Sequence, residues 1–382
     1  MLPKYIAGKL RFSLFNIFSR TRKQIMKSYS SNYQPCSCML CIMPPDMIEA
    51  IKRSGNDRQR EMAERLEQQA QAFRNAREAA TPQGFIVAPA VTTIAAGGPK
   101  RKVYDCQKTT SLKNKLVRNE GNAATGDTQV DEAYKGAGNT YNLYLNVFER
   151  DSLDGNGMEL VSNVHYETDF DNAFWDGEQM AYGDGGTIFK PLTGDLAVIG
   201  HEFSHGVIQF SGGLIYRDQS GALNEHFADV FGSLTKQYAL NQTVGEADWL
   251  IGAGLLLPSI SGVALRSMKA PGTAYNDPLI GKDAQPYHMD DYVVTTRDNG
   301  GVHINSGIPN HAFYLLAMML SGNAWEKAGK IWYKTMQDIQ NPLATFSDWA
   351  TLTVVVANNM FGTGSIESTL TKRAWRLVGI NV

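Results

Sequence analysis

Residues 201–205, His-Glu-Phe-Ser-His, place two histidines four positions apart with a glutamate directly after the first. On a helix, four residues advance about 400° and 6 Å, so both imidazoles leave one face at a spacing that lets them share one metal ion. The apolar Val198-Ile199-Gly200 before the motif and Gly206-Val207 after it suit a buried helix. The plain alternative is a helix that carries two histidines by chance, because the motif fixes only three positions.

H-E-x-x-H on a helix is the pattern of zinc hydrolases. A catalytic zinc takes three protein ligands and keeps one position for water, so a third ligand is expected on a neighbouring element. Sixteen residues after His205 begins a second helical stretch, Gly221 to Asp229, in which Glu225 and Asp229 are spaced i, i+4. They share a face, so one can bind metal while the other accepts the spare N–H of a ligand histidine. Gly212-Gly213 and the polar run Arg217 to Ser220 supply the turn that folds the second helix back on the first.

Four blocks carry a resemblance to the thermolysin family of metallopeptidases: Asn172-Ala173-Phe174-Trp175, His201 to His205, Gly221 to Asp229, and Asp298 to Gly307. They stand in the family's order and spacing, from about residue 130 to the C-terminus. The resemblance implies an α+β, thermolysin-like fold with a β-rich N-terminal lobe, an α-helical C-terminal lobe and the metal-site helix at their junction. It implies a zinc metalloendopeptidase made as a zymogen that hydrolyses bonds on the amino side of bulky hydrophobic residues. One Zn2+ would be held by His201, His205 and Glu225, lowering the pKa of its bound water from 15.7 to roughly 7. Glu202, about 100° round the helix from His201, faces the cleft and would be the base that later protonates the leaving amine. By the same resemblance, Tyr216 and His303 would donate to the developing anion, with Asp298 orienting His303. Asp229 and Asn224 would hold the outer nitrogens of the ligand histidines. Asn172, Ala173 and Arg266 would bind the peptide backbone, and Phe189, Leu192, Val198 and Leu265 would form the pocket for the residue after the cut. The family's double calcium site is expected to be absent, because its acids correspond here to Ala197, Lys236, Leu250 and Ala253, with Asp248 remaining.

The rest of the chain bounds what accompanies this site. With 382 residues, 43% of them hydrophobic, it can bury a substantial core. No apolar run reaches the length of a membrane span. The first 33 residues hold seven Lys or Arg and no acid, which leaves 29 basic against 38 acidic side chains, a charge of -9, in the remainder. An acidic remainder without a basic stripe argues against nucleic-acid binding. The basic leader, residues 1–34, reads as a targeting or disordered segment and lacks the apolar core of a secretory signal, so the expected location is a cytoplasmic precursor or non-classical secretion, with a mitochondrion as the alternative. Cys36, Cys38 and Cys41 cluster, with Cys106 far downstream; this is too sparse for a disulfide framework, and a thiolate of the cluster has the chemistry to cap a zinc ion.

The resemblance extends to a short propeptide at 35–80, in the manner of the protealysin branch, carried by Met43-Pro44-Pro45-Asp46. Asp46 and Glu49 are expected to cap its first helix, and Met62, Leu66, Ala70 and Phe73 form the apolar stripe of a second at about 57–80. Residues 81–102, rich in Ala, Gly, Pro and Thr, read as a linker with the processing site, cut before Phe85, Ile86, Val87, Val91, Ile94 or Val103. Residues 103–195 read as mainly β, with Tyr141 to Val147 among the alternating stretches, and 196–382 as helical. The expected partners are peptide substrates and the propeptide, on a monomer. A catalytically dead binding protein and an exopeptidase are the alternatives, separated by a casein digest and by a substrate blocked at both ends.

Overall fold

The two helices predicted around the motif are α4 (Leu196–Gln209) and α5 (Asp218–Leu240), and they lie against each other as an antiparallel pair. Their crossing is made by small residues: Gly200 faces Thr235, and a Cβ on Gly232 would collide with the carbonyl of Ala197 and the backbone of His201. Only this close approach lets side chains of one helix meet those of the other at bonding distance. Asp195 caps α4, its carboxylate accepting the Ala197 N–H at 2.7 Å.

The computed structural model describes residues 40–79 and 97–382. The leader at 1–34, Cys36 and Cys38, and the candidate cleavage positions from Phe85 to Ile94 lie outside the described residues. On the N-terminal side of the α4–α5 pair is a six-stranded sheet of order β1-β5-β6-β4-β2-β3, built from β1 (Leu40–Cys41), β2 (Arg101–Asp105), β3 (Lys115–Asn119), β4 (Leu160–Val164), β5 (Ala173–Trp175) and β6 (Met180–Tyr182). The pairs β2–β4 and β4–β6 are parallel; the others are antiparallel. On the other side, α6 (Asp298–Asn305), α7 (Gly307–Leu320), α8 (Ala328–Asp338), α9 (Phe346–Phe361) and α10 (Ile366–Leu377) complete a helical lobe. The fold is thermolysin-like, with α4 at the junction of the lobes.

Within the β-rich lobe one long element departs from expectation. Thr128–Phe148 is a 21-residue helix, α3, and it includes Tyr141 to Val147, read above as alternating strand. Its buried residues Val130, Ala133, Ala137, Tyr141, Tyr144 and Phe148 recur at three and four, which is a helical stripe. Asp127 caps it, accepting the N–H groups of Gln129 and Val130.

The N-terminal segment is two helices following a strand. Helix α1 (Pro45–Ser54) starts at a proline whose missing N–H costs nothing at the first position, and no side chain caps it. Asp46 therefore does not cap as expected; it and Glu49 both turn to Arg297 of the helical lobe, with Asp46 Oδ1 3.6 Å from its guanidinium. Helix α2 (Asp57–Ala79) buries Met62 and Leu66 and sets Arg58 on Asp169 at 2.6 Å and Gln69 on Glu167 at 2.9 Å, both in the β4–β5 loop. Val103, the last of the candidate cleavage positions, is fully buried at the centre of β2 between β3 and β4, where no extended peptide could be drawn out.

Candidate active site

Both histidines of the motif leave the buried side of α4 towards α5. His205 Nδ1 lies 2.9 Å from Asn224 Oδ1, and the Asn224 amide nitrogen donates to Leu214 O, which fixes the amide's orientation. His201 Nδ1 lies 2.8 Å from Asp229 Oδ1. Since each Nδ1 faces an acceptor, each carries the proton, and the two Nε2 atoms present lone pairs to one another at 3.0 Å. Two lone pairs at that distance repel unless a cation stands between them. Glu225 brings its oxygens 3.5 Å from His201 Nε2 and 3.7 Å from His205 Nε2, and one donor atom from each of the three residues falls within 4.8 Å of the others. Two imidazoles and a carboxylate, fully buried and with their outer atoms already engaged, fit a tetrahedral zinc ion. The neighbour of Glu225, His226, is not part of this set. Its nitrogens are taken by Asn310 and by the Trp332 N–H, and burial holds it neutral with a pKa of about 4.

Around the cluster stand the other residues singled out in the sequence. Glu202 is fully buried, and burial together with the Glu225 charge raises its pKa well above the carboxylate range. Tyr216 donates its hydroxyl proton to Glu225 and lies 3.2 Å from His303 Nε2. Asp298 accepts both the His303 Nδ1–H and its backbone N–H at 2.7 Å. It reaches them because Asp298, Asn299, Gly300 and Gly301 all take positive φ, a left-handed turn that curls the carboxylate back over the helix it precedes. Burial works against a charge on His303, but Glu225 and Asp298 outweigh it and hold the pKa up at about 9. Asp229 accepts two N–H groups of Arg266 at 2.8 and 2.9 Å besides facing His201, so one carboxylate ties Arg266 to the His201 imidazole.

The chain's own N-terminal segment lies across this site. Leu40 and Cys41 pair antiparallel with Trp175 and Phe174. The Ile42 N–H donates to Ala173 O at 3.2 Å, the Met43 N–H to Asn172 Oδ1 at 3.2 Å, and Arg266 Nη1 donates to Ile42 O at 3.0 Å. Asn172, Ala173 and Arg266 thus hold the backbone of the chain's own Ile42 and Met43. Phe189, Leu192, Val198 and Leu265 are fully buried in the same apolar cluster as Ile42. Sequence reasoning did not single out Asp171, which accepts the backbone N–H groups of Thr187 and Phe189, or His165, which stands between Asp184 and Asp127. At the calcium positions, Lys236 Nζ stands 2.7 Å from Asp248 and 3.7 Å from Asp195, while Ala197 and Ala253 offer no carboxylate.

Sequence models of the thermolysin metallopeptidase catalytic domain and α-helical domain match residues 92–209 and 212–380. An extracellular metalloprotease of Pectobacterium carotovorum is 46% identical over 89% of this chain and 96% of its own length. A thermolysin of Bacillus caldolyticus is 38% identical over 72% of this chain and 50% of its own. Among solved structures, the precursor of protealysin from Serratia proteamaculans superposes with a TM-score of 0.80 at 46% identity, covering 89% of this chain and 99% of that one. A relative from Serratia marcescens is also named an extracellular minor metalloprotease. These names overturn the cytoplasmic or mitochondrial location expected from the basic leader, whose composition alone carried that expectation. Two matched domains, the relatives and the structural neighbour agree: the chain belongs to the thermolysin family of metallopeptidases.

Proposed function

We propose that this protein is a zinc-dependent endopeptidase made as a zymogen, which cuts before bulky apolar residues and works outside the cell as its relatives' names state of them. The observation that carries the reading is the Ile42–Met43 backbone held by Ala173, Asn172 and Arg266 beside the His201–His205–Glu225 cluster. A peptide in that register brings its carbonyls to the metal cluster, with the next side chain entering the apolar pocket.

His201, His205 and Glu225 would hold a zinc ion, which would supply a Lewis acid able to lower the pKa of a water towards neutral pH. With a bound zinc offsetting the burial and the Glu225 charge that raise its pKa, Glu202 would be ionised, accept the water's proton and return it to the leaving nitrogen. Tyr216 and His303 donate hydrogen bonds where negative charge develops on the peptide oxygen, His303 being kept protonated by Asp298 and Glu225. Arg266 and Asn172 hold the chain on the leaving side, while Asp229 keeps Arg266 and His201 in register. Residues 40–79 act as the prosegment, and the stretch before Gly97 is where it is severed. The double calcium site is replaced by the ammonium of Lys236 between Asp195 and Asp248.

The test is Glu202→Gln. It keeps size and hydrogen bonding but not proton acceptance, so zinc content is expected to stay at one per chain while kcat on a doubly blocked peptide falls at least about a hundredfold. A zinc-loaded variant with most of its activity intact refutes the mechanism.

A further inference from the structure

Asp171 is a fully buried carboxylate that the mechanism above does not use. It stands directly before Asn172, the residue that binds the peptide backbone, and its side chain turns the other way. Its oxygens accept the backbone N–H of Thr187 at 3.0 Å, of Ile188 at 3.2 Å and of Phe189 at 2.8 Å, and also the Thr187 hydroxyl. Three consecutive backbone donors and a hydroxyl around one anion make a nest of the kind that binds free anions, built here around a side chain. A buried charge is costly unless its lone pairs are filled, and here donors fill them. An amide in the same place would offer one oxygen and turn an NH2 group towards the remaining donors.

The turn held in this way belongs to the pocket. Phe189 is fully buried and bridges across to Leu256, and Lys190 N–H donates to Leu255 O at 2.8 Å. From the other side, Gly183 N–H donates to Asn172 O at 3.0 Å and Gly185 N–H to Phe170 O at 3.2 Å. The 183–189 loop is therefore hung from residues 170–172, with the Asp171 carboxylate as the attachment nearest Phe189.

We propose that Asp171 is a positioning residue for substrate selection: by fixing the Thr187–Phe189 turn to the strand that pairs with the peptide, it sets the depth of the pocket and so which side chain after the cut is accepted. The inference rests on the peptidase reading and on Phe189 lining that pocket.

The experiment uses full-length wild-type, Asp171→Asn and Thr187→Val chains, converted to the mature form, with two quenched peptides that differ only in Ile or Ala after the cut. The ratio of kcat/KM, Ile over Ala, is measured together with the melting temperature. Wild type is expected to prefer Ile by more than about tenfold. Asp171→Asn is expected to lower the ratio by about fivefold or more, with the loss in KM for the Ile peptide exceeding that in kcat. Thr187→Val, which removes one donor, should shift it the same way by less. A lower melting temperature with an unchanged ratio would overturn the inference, since a scaffold role alone predicts that. If Asp171→Asn does not fold, Thr187→Val decides, and an unchanged ratio there also overturns it. A wild type that cuts both peptides equally sinks the pocket assignment itself, and one that cuts neither sinks the peptidase reading.

Discussion

His165 meets a carboxylate at each ring nitrogen, Asp184 at 2.8 Å and Asp127 at 3.1 Å, and the Asp184 hydrogen bond leads in holding its pKa up at about 9 against burial. Its folded value lies above the ordinary 6.5, so the stability it contributes is fully present below about pH 6.5 and is lost as pH rises through 9. The melting temperature of wild type should therefore fall more between pH 7 and pH 10 than that of His165→Gln, as calorimetry across that range would show. His226 runs the other way. Held neutral by burial with a pKa of about 4, it costs stability as pH falls from about 6.5 towards 4. At this scale the metal cluster was legible because i, i+4 spacing on two helices fixes which side chains share a face. The partners of His165 and Asp171 lie on loops 16 to 38 residues away. His165, Glu167 and Asp169 all take positive φ, and no periodicity encodes that path.

Among the elements, α3 was misread, and so was the stretch between α5 and α6, read as helical but holding the strands Leu250–Ile251, Arg266–Ser267, Asn276–Asp277 and Gly281–Lys282. Gly136, Gly138, Asn139, Thr140, Asn142 and Asn146 give α3 the composition of turns, and only the buried stripe, read at a period of 3.6, reveals a helix. Helices α1 and α2 were legible in outline, but neither the strand β1 ahead of them nor what holds them down was. Two kinds of contact compete for that role: the buried side chain of Ile42, and the ion pairs of Arg297 and Arg58 at the surface. Burying an isoleucine contributes about 1.5–3 kcal/mol, whereas an exposed pair contributes about 0–1 kcal/mol. Hydrolysis of a short peptide by the uncleaved chain should thus rise about tenfold or more in Ile42→Ala. In Arg297→Gln the rise should stay within about fivefold and be matched in wild type by raising the salt. A larger effect from Arg297 would reverse this order.

For the molecule as a whole, Lys236 on α5 joins Asp195, the residue that caps α4, to Asp248 just beyond the end of α5. A covalently attached cation cannot be chelated. Millimolar calcium is therefore expected to move the melting temperature of the wild type by less than about 2 °C. Lys236→Met, which leaves the buried Asp195 beside Asp248 without a counter-charge, should lower it by roughly 2–4 °C per kcal/mol lost. A calcium-driven rise of many degrees would refute the substitution of metal by lysine. The sequence placed Lys236 near Asp248; its contact with Asp195 was not legible, because Asp195 and Asp248 lie 53 residues apart. The pairing of β1 with β5 has a further consequence for how this protein can be handled and stored. An enzyme that reads peptides by adding them to a sheet must keep one strand bare, and a bare strand recruits any other strand, including those of its own copies. While residues 40 and 41 remain in place, β5 is covered and the free border is the two-residue β1; in the proposed zymogen, severing that segment would bare the longer edge of β5.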